Sequence, residues 1–244
     1  MKTVIIIPAR YQSTRFPGKP LQKILNKEMI IWVAEVCEKV LNKKLVYVAT
    51  DDERIHAKVK EFGFQTISTS KNCLTGTDRV AEVSKKINSE IYINVQGDEP
   101  LIKSEDVKMV IDHKLKYPNH VICGYTEISK NENPLNKNIP KVVLNENEEL
   151  MYISRSLVPG FKDENLSTKR KYFKQVCIYA FNKHELNEFS LLGKKSTIEK
   201  LEDIEILRFF ELNIKIKMVR TSSGSLAVDE ENDIKKIEQY LKKK

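Results

Sequence analysis

The sequence predicts an α/β fold with a mainly parallel (mixed) central sheet, and three observations carry that reading. The chain opens on Lys2-Thr3-Val4-Ile5-Ile6-Ile7, a β-branched run without a polar face, as expected of a strand buried on both sides of a sheet. Strand-like and helix-like patterns then alternate through the first hundred residues, the rhythm of parallel strands joined by crossover helices. Two of these strands end in short polar motifs, at the edge where open parallel sheets hold their ligands.

After the first strand, residues 28–42 place Ile30, Val33, Ala34, Cys37 and Leu41 on one helical face. Leu45–Ala49 reads as a second strand ending at Thr50-Asp51-Asp52, and a helix over 52–62 follows, closed by Gly63. Gln65–Ser68 is the third strand, Asp78–Lys86 the next helix and Ile91–Val95 the fourth strand. From about residue 120 the rhythm changes to strand-like runs at His120–Glu127, Pro140–Leu144, Leu150–Ser154 and Gln175–Phe181, with a polar loop, Pro159–Arg170. Helices over 183–190 and 199–212, a strand at Ile214–Arg220 and a helix over 230–243 complete the pattern. These elements read as one domain, 1–244, with the segment from about 120 to 220 as a subdomain facing the rest.

The 244 residues include 41% apolar and 31% charged, ordinary values for a globular enzyme-sized unit. No stretch approaches the roughly 18 apolar residues of a membrane span, and the opening run ends at Pro8 without a cleavage site, so a cytoplasmic location is expected. Cys37, Cys73, Cys123 and Cys177 show no CxxC or zinc spacing and read as free thiols. The net charge of +8 comes from lysines spread along the chain, with no basic block interleaved with aromatics, so no nucleic-acid partner is expected. In so lysine-rich a chain the arginines stand out. Arg10, Arg15, Arg79 and Arg155 fall inside motifs, where a planar fork suits phosphate and carboxylate. None of the four histidines lies in a motif; they read as surface or loop residues.

Pro8-Ala9-Arg10-Tyr11-Gln12-Ser13-Thr14-Arg15-Phe16-Pro17-Gly18-Lys19 leaves the end of the first strand with three cations and the hydroxyls of Ser13 and Thr14. Such a loop can wrap a triphosphate with side-chain cations and backbone N–H groups; on charge alone it is equally a solvated basic loop. It matches neither GxxxxGK[ST] nor GxGxxG, which argues against a P-loop and against a dinucleotide oxidoreductase. Asn94-Val95-Gln96-Gly97-Asp98-Glu99-Pro100 follows the fourth strand, where Gly97 permits close backbone approach and Asp98 offers a hard oxygen for Mg²⁺, or caps a helix or turn. Asp229, after Leu226-Ala227-Val228, is either a second such ligand or the cap of the last helix. Gly76-Thr77-Asp78-Arg79 opens a helix whose N–H groups can hold phosphate or base, or simply carries a Thr77 or Asp78 cap.

Taken together, IIIPARYQSTRFPGKPL, VATDDERI, GTDRVAEV, INVQGDEPLI, Asn138–Val143, Tyr152-Ile153-Ser154-Arg155 with Pro159, and Ala227-Val228-Asp229 closely resemble the bacterial CMP-Kdo synthetases, the 3-deoxy-manno-octulosonate cytidylyltransferases, along nearly the whole chain. That resemblance implies a Rossmann-like nucleotidyltransferase fold, usually dimeric, that forms CMP-Kdo and diphosphate from CTP and the keto-sugar acid Kdo for lipopolysaccharide or capsule synthesis. It implies a nucleotide-binding part at about 1–119 and 221–244, and a sugar-binding and dimerisation part at about 120–220. By the same resemblance Pro8, Ala9, Arg10, Ser13, Arg15 and Lys19 line the triphosphate, and Gly76, Thr77 and Arg79 lie near the nucleotide. Asp98 and Asp229 match the magnesium-binding aspartates. Arg15 and Lys19 join them as catalytic residues, and Gln96, Arg155, Gln175, Tyr179 and Glu205 match the sugar side.

Two positions depart from the pattern. Gln175-Val176-Cys177-Ile178-Tyr179 stands where the family writes His-Leu-Gly-Ile-Tyr, and Glu205-Ile206-Leu207-Arg208 where it writes Glu-Gln-Leu-Arg. A lost hydrogen-bonding group can change which substrate a site accepts. The alternative expectations are therefore a cytidylyltransferase for a modified Kdo or another keto-sugar acid and, more remotely, a non-catalytic nucleotide or anion binder. The paired acids Asp98 and Asp229 argue against the last, because two carboxylates weaken anion binding unless a metal bridges them.

Overall fold

The computed structural model describes residues 2–12, 16–130, 132–160, 162, 171–222, 226–228 and 230–242. The opening run forms β1 (Thr3–Pro8), with Val4, Ile5, Ile6 and Ile7 all fully buried. Alternate residues feed two cores: Ile5 and Ile7 pack on one face of the sheet, Val4 and Ile6 on the other. That division is the reason for a strand without a polar side.

A short hairpin, β2 (Lys23–Ile24) and β3 (Lys27–Glu28), leads into α1 (Met29–Glu38) and then β4 (Val46–Thr50). α2 (Glu53–Glu61) is capped by the side chain of Asp52, which accepts from the backbone N–H of Arg54. β5 (Gln65–Ser68), α3 (Gly76–Lys86), β6 (Ile91–Val95), α4 (Ser104–Lys116) and β7 (Val121–Glu127) follow. The hairpin of β8 (Lys141–Leu144) and β9 (Leu150–Ser154) precedes the long β10 (Phe173–Phe181). α5 (Lys183–Leu191), α6 (Thr197–Glu202), α7 (Leu207–Glu211), β11 (Ile216–Arg220) and α8 (Glu231–Lys242) complete the chain.

The main path of the sheet runs β11-β7-β10-β6-β1-β4-β5, with β8 and β9 attached beside β10. β1 pairs in parallel with both β4 and β6, whereas β10 is antiparallel to β6 and to β7. The mixed sheet is thus parallel apart from β10 and β9. Helices cover both faces: α1, α2 and α4 pack over one core, and α3, α5 and α7 over the other. The strand order reverses between β1 and β6, which opens a crevice at their C-terminal ends. The last described stretch returns to that edge, where Val228 and Ile237 of α8 are buried with Ile24 and Met29.

Three expectations need correction. No element was expected over 104–116, yet α4 forms there; two of its inward positions are polar and break the apolar stripe, Asp106 and Lys114 being each 1% exposed, with Lys114 paired to Glu185 at 2.7 Å. The single helix expected over 199–212 is two helices, broken at Asp203, which adopts a left-handed φ of 51°. His56, expected at the surface, is buried on α2 with its ring nitrogen 3.3 Å from Ser68 Oγ. The cysteines are free thiols as expected. The loop over 159–170 falls largely outside the described residues, as do Ser13, Arg15 and Asp229.

Candidate active site

The crevice between the ends of β1 and β6 widens into a cavity of about 540 Å³. Pro8, Ala9 and Arg10 enter it from the end of β1, and Gln96, Gly97 and Asp98 from the end of β6. Cys73, Leu74, Thr75, Gly76 and Arg79 bring the start of α3, and Lys19 the short turn before β2. The opposite wall is Lys137, Asn138, Arg155 and Asp203. The two strand-end motifs therefore converge, although Lys19 and Asp98 stand 79 positions apart in the sequence.

Lys19 organises the β6 side. Its ammonium donates to Asp98 Oδ2 at 2.6 Å and to the Val228 carbonyl at 2.7 Å, and the Val228 N–H donates to the Asp98 carbonyl at 2.9 Å. Two hard oxygens thus converge on one cation, a donor set of the kind a divalent metal takes. Asp229 follows Val228 directly in sequence. Among the described residues no group of three acids, histidines or cysteines converges to hold a metal.

Gly18 sets the path of the basic loop. Its φ is +70°, and a Cβ on it would lie 3.0–3.2 Å from the Tyr11 ring, which the guanidinium of Arg54 covers on α2 at 3.3 Å. Its N–H donates to the Tyr11 carbonyl at 2.8 Å, so the ends of the loop are fastened together. Only glycine takes this backbone without strain or clash.

The start of α3 is held from beneath. The helix begins at Gly76 and its cap is Thr75, whose hydroxyl accepts from the Asp78 N–H at 3.1 Å; the cap is neither Thr77 nor Asp78. Glu205 accepts from the Thr77 N–H at 2.8 Å and from Gln96 Nε2 at 2.8 Å. Burial holds the Glu205 carboxyl above the usual range, partly offset by the Thr77 N–H. Arg208, fully buried, pairs with Glu199 and with Asp78 at 2.7 Å each and lies over the Phe189 ring.

Not every expected site residue reaches the cavity. Pro8, Ala9, Arg10, Lys19, Gly76, Arg79, Gln96, Asp98 and Arg155 line it, whereas Thr77, Gln175, Tyr179 and Glu205 do not. Arg79 is 4% exposed, paired with Asp51 at 3.1 Å and bonded to Thr69. Gln175 donates to the Tyr179 hydroxyl at 3.0 Å; burial raises the pKa of that hydroxyl well above its ordinary value. Ile206 is fully buried in the apolar core, so its aliphatic side chain answers to packing. Lys137, Asn138 and Asp203 are lining residues that motif reading missed, although Asn138 opens one of the matching stretches. The Cys73 thiol, pushed up to about 11 mainly by burial, stays protonated, and no histidine lines the cavity. Among the described residues, then, the chemistry on offer is charge and position, without a nucleophile–base pair.

A cytidylyltransferase family model matches residues 4–216. The 3-deoxy-manno-octulosonate cytidylyltransferase of Fusobacterium nucleatum is 39% identical over 251 residues, covering 99% of this chain and 98% of that protein. Its namesake from Geotalea uraniireducens is also 39% identical, over the whole of both chains. Among solved structures, a CMP:2-keto-3-deoxy-manno-octonic acid synthetase complexed with CTP matches with a TM-score of 0.91 at 36% identity, covering 100% of this chain and 99% of the other. A 4-diphosphocytidyl-2C-methyl-D-erythritol synthase from Anaerococcus prevotii, with a TM-score of 0.64 at 14% identity over 98% and 96% of the two chains, shares the fold.

Proposed function

The chain belongs to the 3-deoxy-manno-octulosonate cytidylyltransferases, and from that membership we propose that it joins CTP to Kdo, giving CMP-Kdo and diphosphate for bacterial surface polysaccharide. The observation that carries the reading is the convergence of Arg10, Lys19 and Asp98 at the point where the strand order reverses. CTP lies over the ends of β1 and β6 with its triphosphate toward Arg10, Lys19 and the loop that contains Ser13 and Arg15. Gly76, a position where a Cβ would meet Gln96 Nε2 at 2.7 Å, leaves Gln96 its place against the start of α3, beside which the nucleotide lies.

The anomeric 2-hydroxyl of the sugar acid attacks the α-phosphorus in line and diphosphate leaves. The protein lowers the barrier by fixing the two reactants in contact and by setting cations where negative charge grows. Lys19 and Arg15 neutralise the departing diphosphate. The family works with a divalent metal. Mg²⁺ would fit this role, held by Asp98 and Asp229, and would supply positive charge to the α-phosphate and the attacking hydroxyl. Lys19 is fastened to Asp98 and to the Val228 carbonyl, so the same side chain joins the metal ligand to the leaving-group side.

The part from about 120 to 220 holds the sugar acid against Lys137, Asn138, Arg155 and Asp203 and carries the contact of a homodimer. Its exposed Leu135, Met151 and Leu201, at 66%, 54% and 80%, support the second role. No helix among the described residues is long and apolar enough to cross a membrane, and we place the reaction in the cytoplasm, where CTP is available. The test is incubation with CTP, Mg²⁺ and a panel of keto-sugar acids, following diphosphate and the CMP-sugar. Preferred turnover of Kdo is expected. Preference for another acid moves the substrate, and diphosphate from none of them rejects the activity.

A further inference from the structure

The cavity lining contains five cations, and their partners sort them by role. Lys19 is engaged with Asp98 and the Val228 carbonyl, and Arg79 with Asp51 and Thr69. Arg155 is spent as well. Its Nε donates to the Glu202 carbonyl, one terminal nitrogen to the Lys137 carbonyl at 2.9 Å and the other to the Asp203 carbonyl at 3.0 Å. Arg10 stands at the end of β1 on the phosphate side. Among the described residues, Lys137 is thus the lining cation on the opposite wall whose ammonium has no protein partner.

The loop around Lys137 is built to hold its place. The Asn136 side chain accepts from the Asn138 N–H at 2.9 Å, its carbonyl accepts from Lys141 Nζ at 3.1 Å, and Arg155 grips the next carbonyl along, that of Lys137. Lys141 also donates to the Arg155 carbonyl at 2.5 Å, which closes the circuit between the loop and the end of β9. A sugar acid brings a carboxylate to this wall, and a carboxylate takes the cation that is free to meet it.

Resting on the function proposed above, we infer that Lys137 receives the carboxylate of the sugar acid and that Arg155 is the strut that positions it. The test compares wild type, Lys137→Ala and Lys137→Arg with Kdo and with its methyl ester as acceptors. Lys137→Ala raises KM for Kdo at least tenfold and leaves KM for CTP within twofold. Lys137→Arg recovers most of the loss. The preference of wild type for acid over ester collapses in Lys137→Ala. An unchanged KM for Kdo, or an unchanged acid-over-ester preference, in an active Lys137→Ala enzyme overturns the assignment while the function stands. Wild type without turnover on any sugar acid rejects the function, and this inference falls with it.

Discussion

Gly76 shows how closely the residues of the site are fitted. A methyl group there would displace the Gln96 amide from its bond to Glu205 and press on Pro8, whose Cγ lies 3.2 Å away. At this first position of α3 the helix itself gains at most about 1 kcal/mol from alanine. Gly76→Ala is therefore expected to leave the thermal midpoint nearly unchanged while kcat/KM for CTP falls about tenfold or more, a loss of roughly 1.4 kcal/mol. Glu205 gives a test of sign. Because burial raises its folded pKa, its contribution to stability is complete below the ordinary glutamate range and is lost as pH rises through the raised folded value. Melting temperatures taken upward from about pH 4 should show a decline that Glu205→Gln removes; a slope unchanged by that variant would count against a raised carboxyl. The motif residues at the strand ends were legible because their position follows from the sheet. Side-chain direction was not: Thr77 and Tyr179 sit in matching motifs but turn into the protein, and Lys137 lies in no motif.

At the level of elements, α6 and α7 act as a clamp on the start of α3. Arg208 ties Glu199 and Asp78 together in a fully buried position, and Glu205 reaches the Thr77 N–H from the same side. Removing the guanidinium leaves two carboxylates facing each other with little water. Arg208→Ala should cost about 3–5 kcal/mol in urea unfolding, and a loss under about 1 kcal/mol would show that the pairs contribute no more than surface ones. Elements with continuous apolar runs, such as β1, β4 and β6, were readable. α4 escaped because its inner face is completed by a buried Lys114–Glu185 pair and by Asp106, whose carboxylate accepts from Ser222. The break at Asp203 escaped because left-handed backbone at an aspartate leaves no apolar signature.

Across the whole molecule, one sheet passes without interruption from β1 and β6, whose ends carry Arg10 and Asp98, to the strands beside the opposite wall. Antiparallel β10 stitches β6 to β7, with a bulge between Val176 and Tyr179 in its pairing to β7. The chain then returns from β11 through Thr221 and Ser222, anchored on Tyr125 and Asp106, to Val228 beside Asp98. Both ends of the chain therefore meet at the site, where Lys19 bonds to the Val228 carbonyl and Leu25 to Glu238. The most direct test of that arrangement is diphosphate release from CTP and Kdo, titrated with Mg²⁺, in wild type and Asp98→Asn. The account predicts release that requires both substrates and metal, and a fall of at least a hundredfold in Asp98→Asn with the fold intact. Full activity in Asp98→Asn would contradict it.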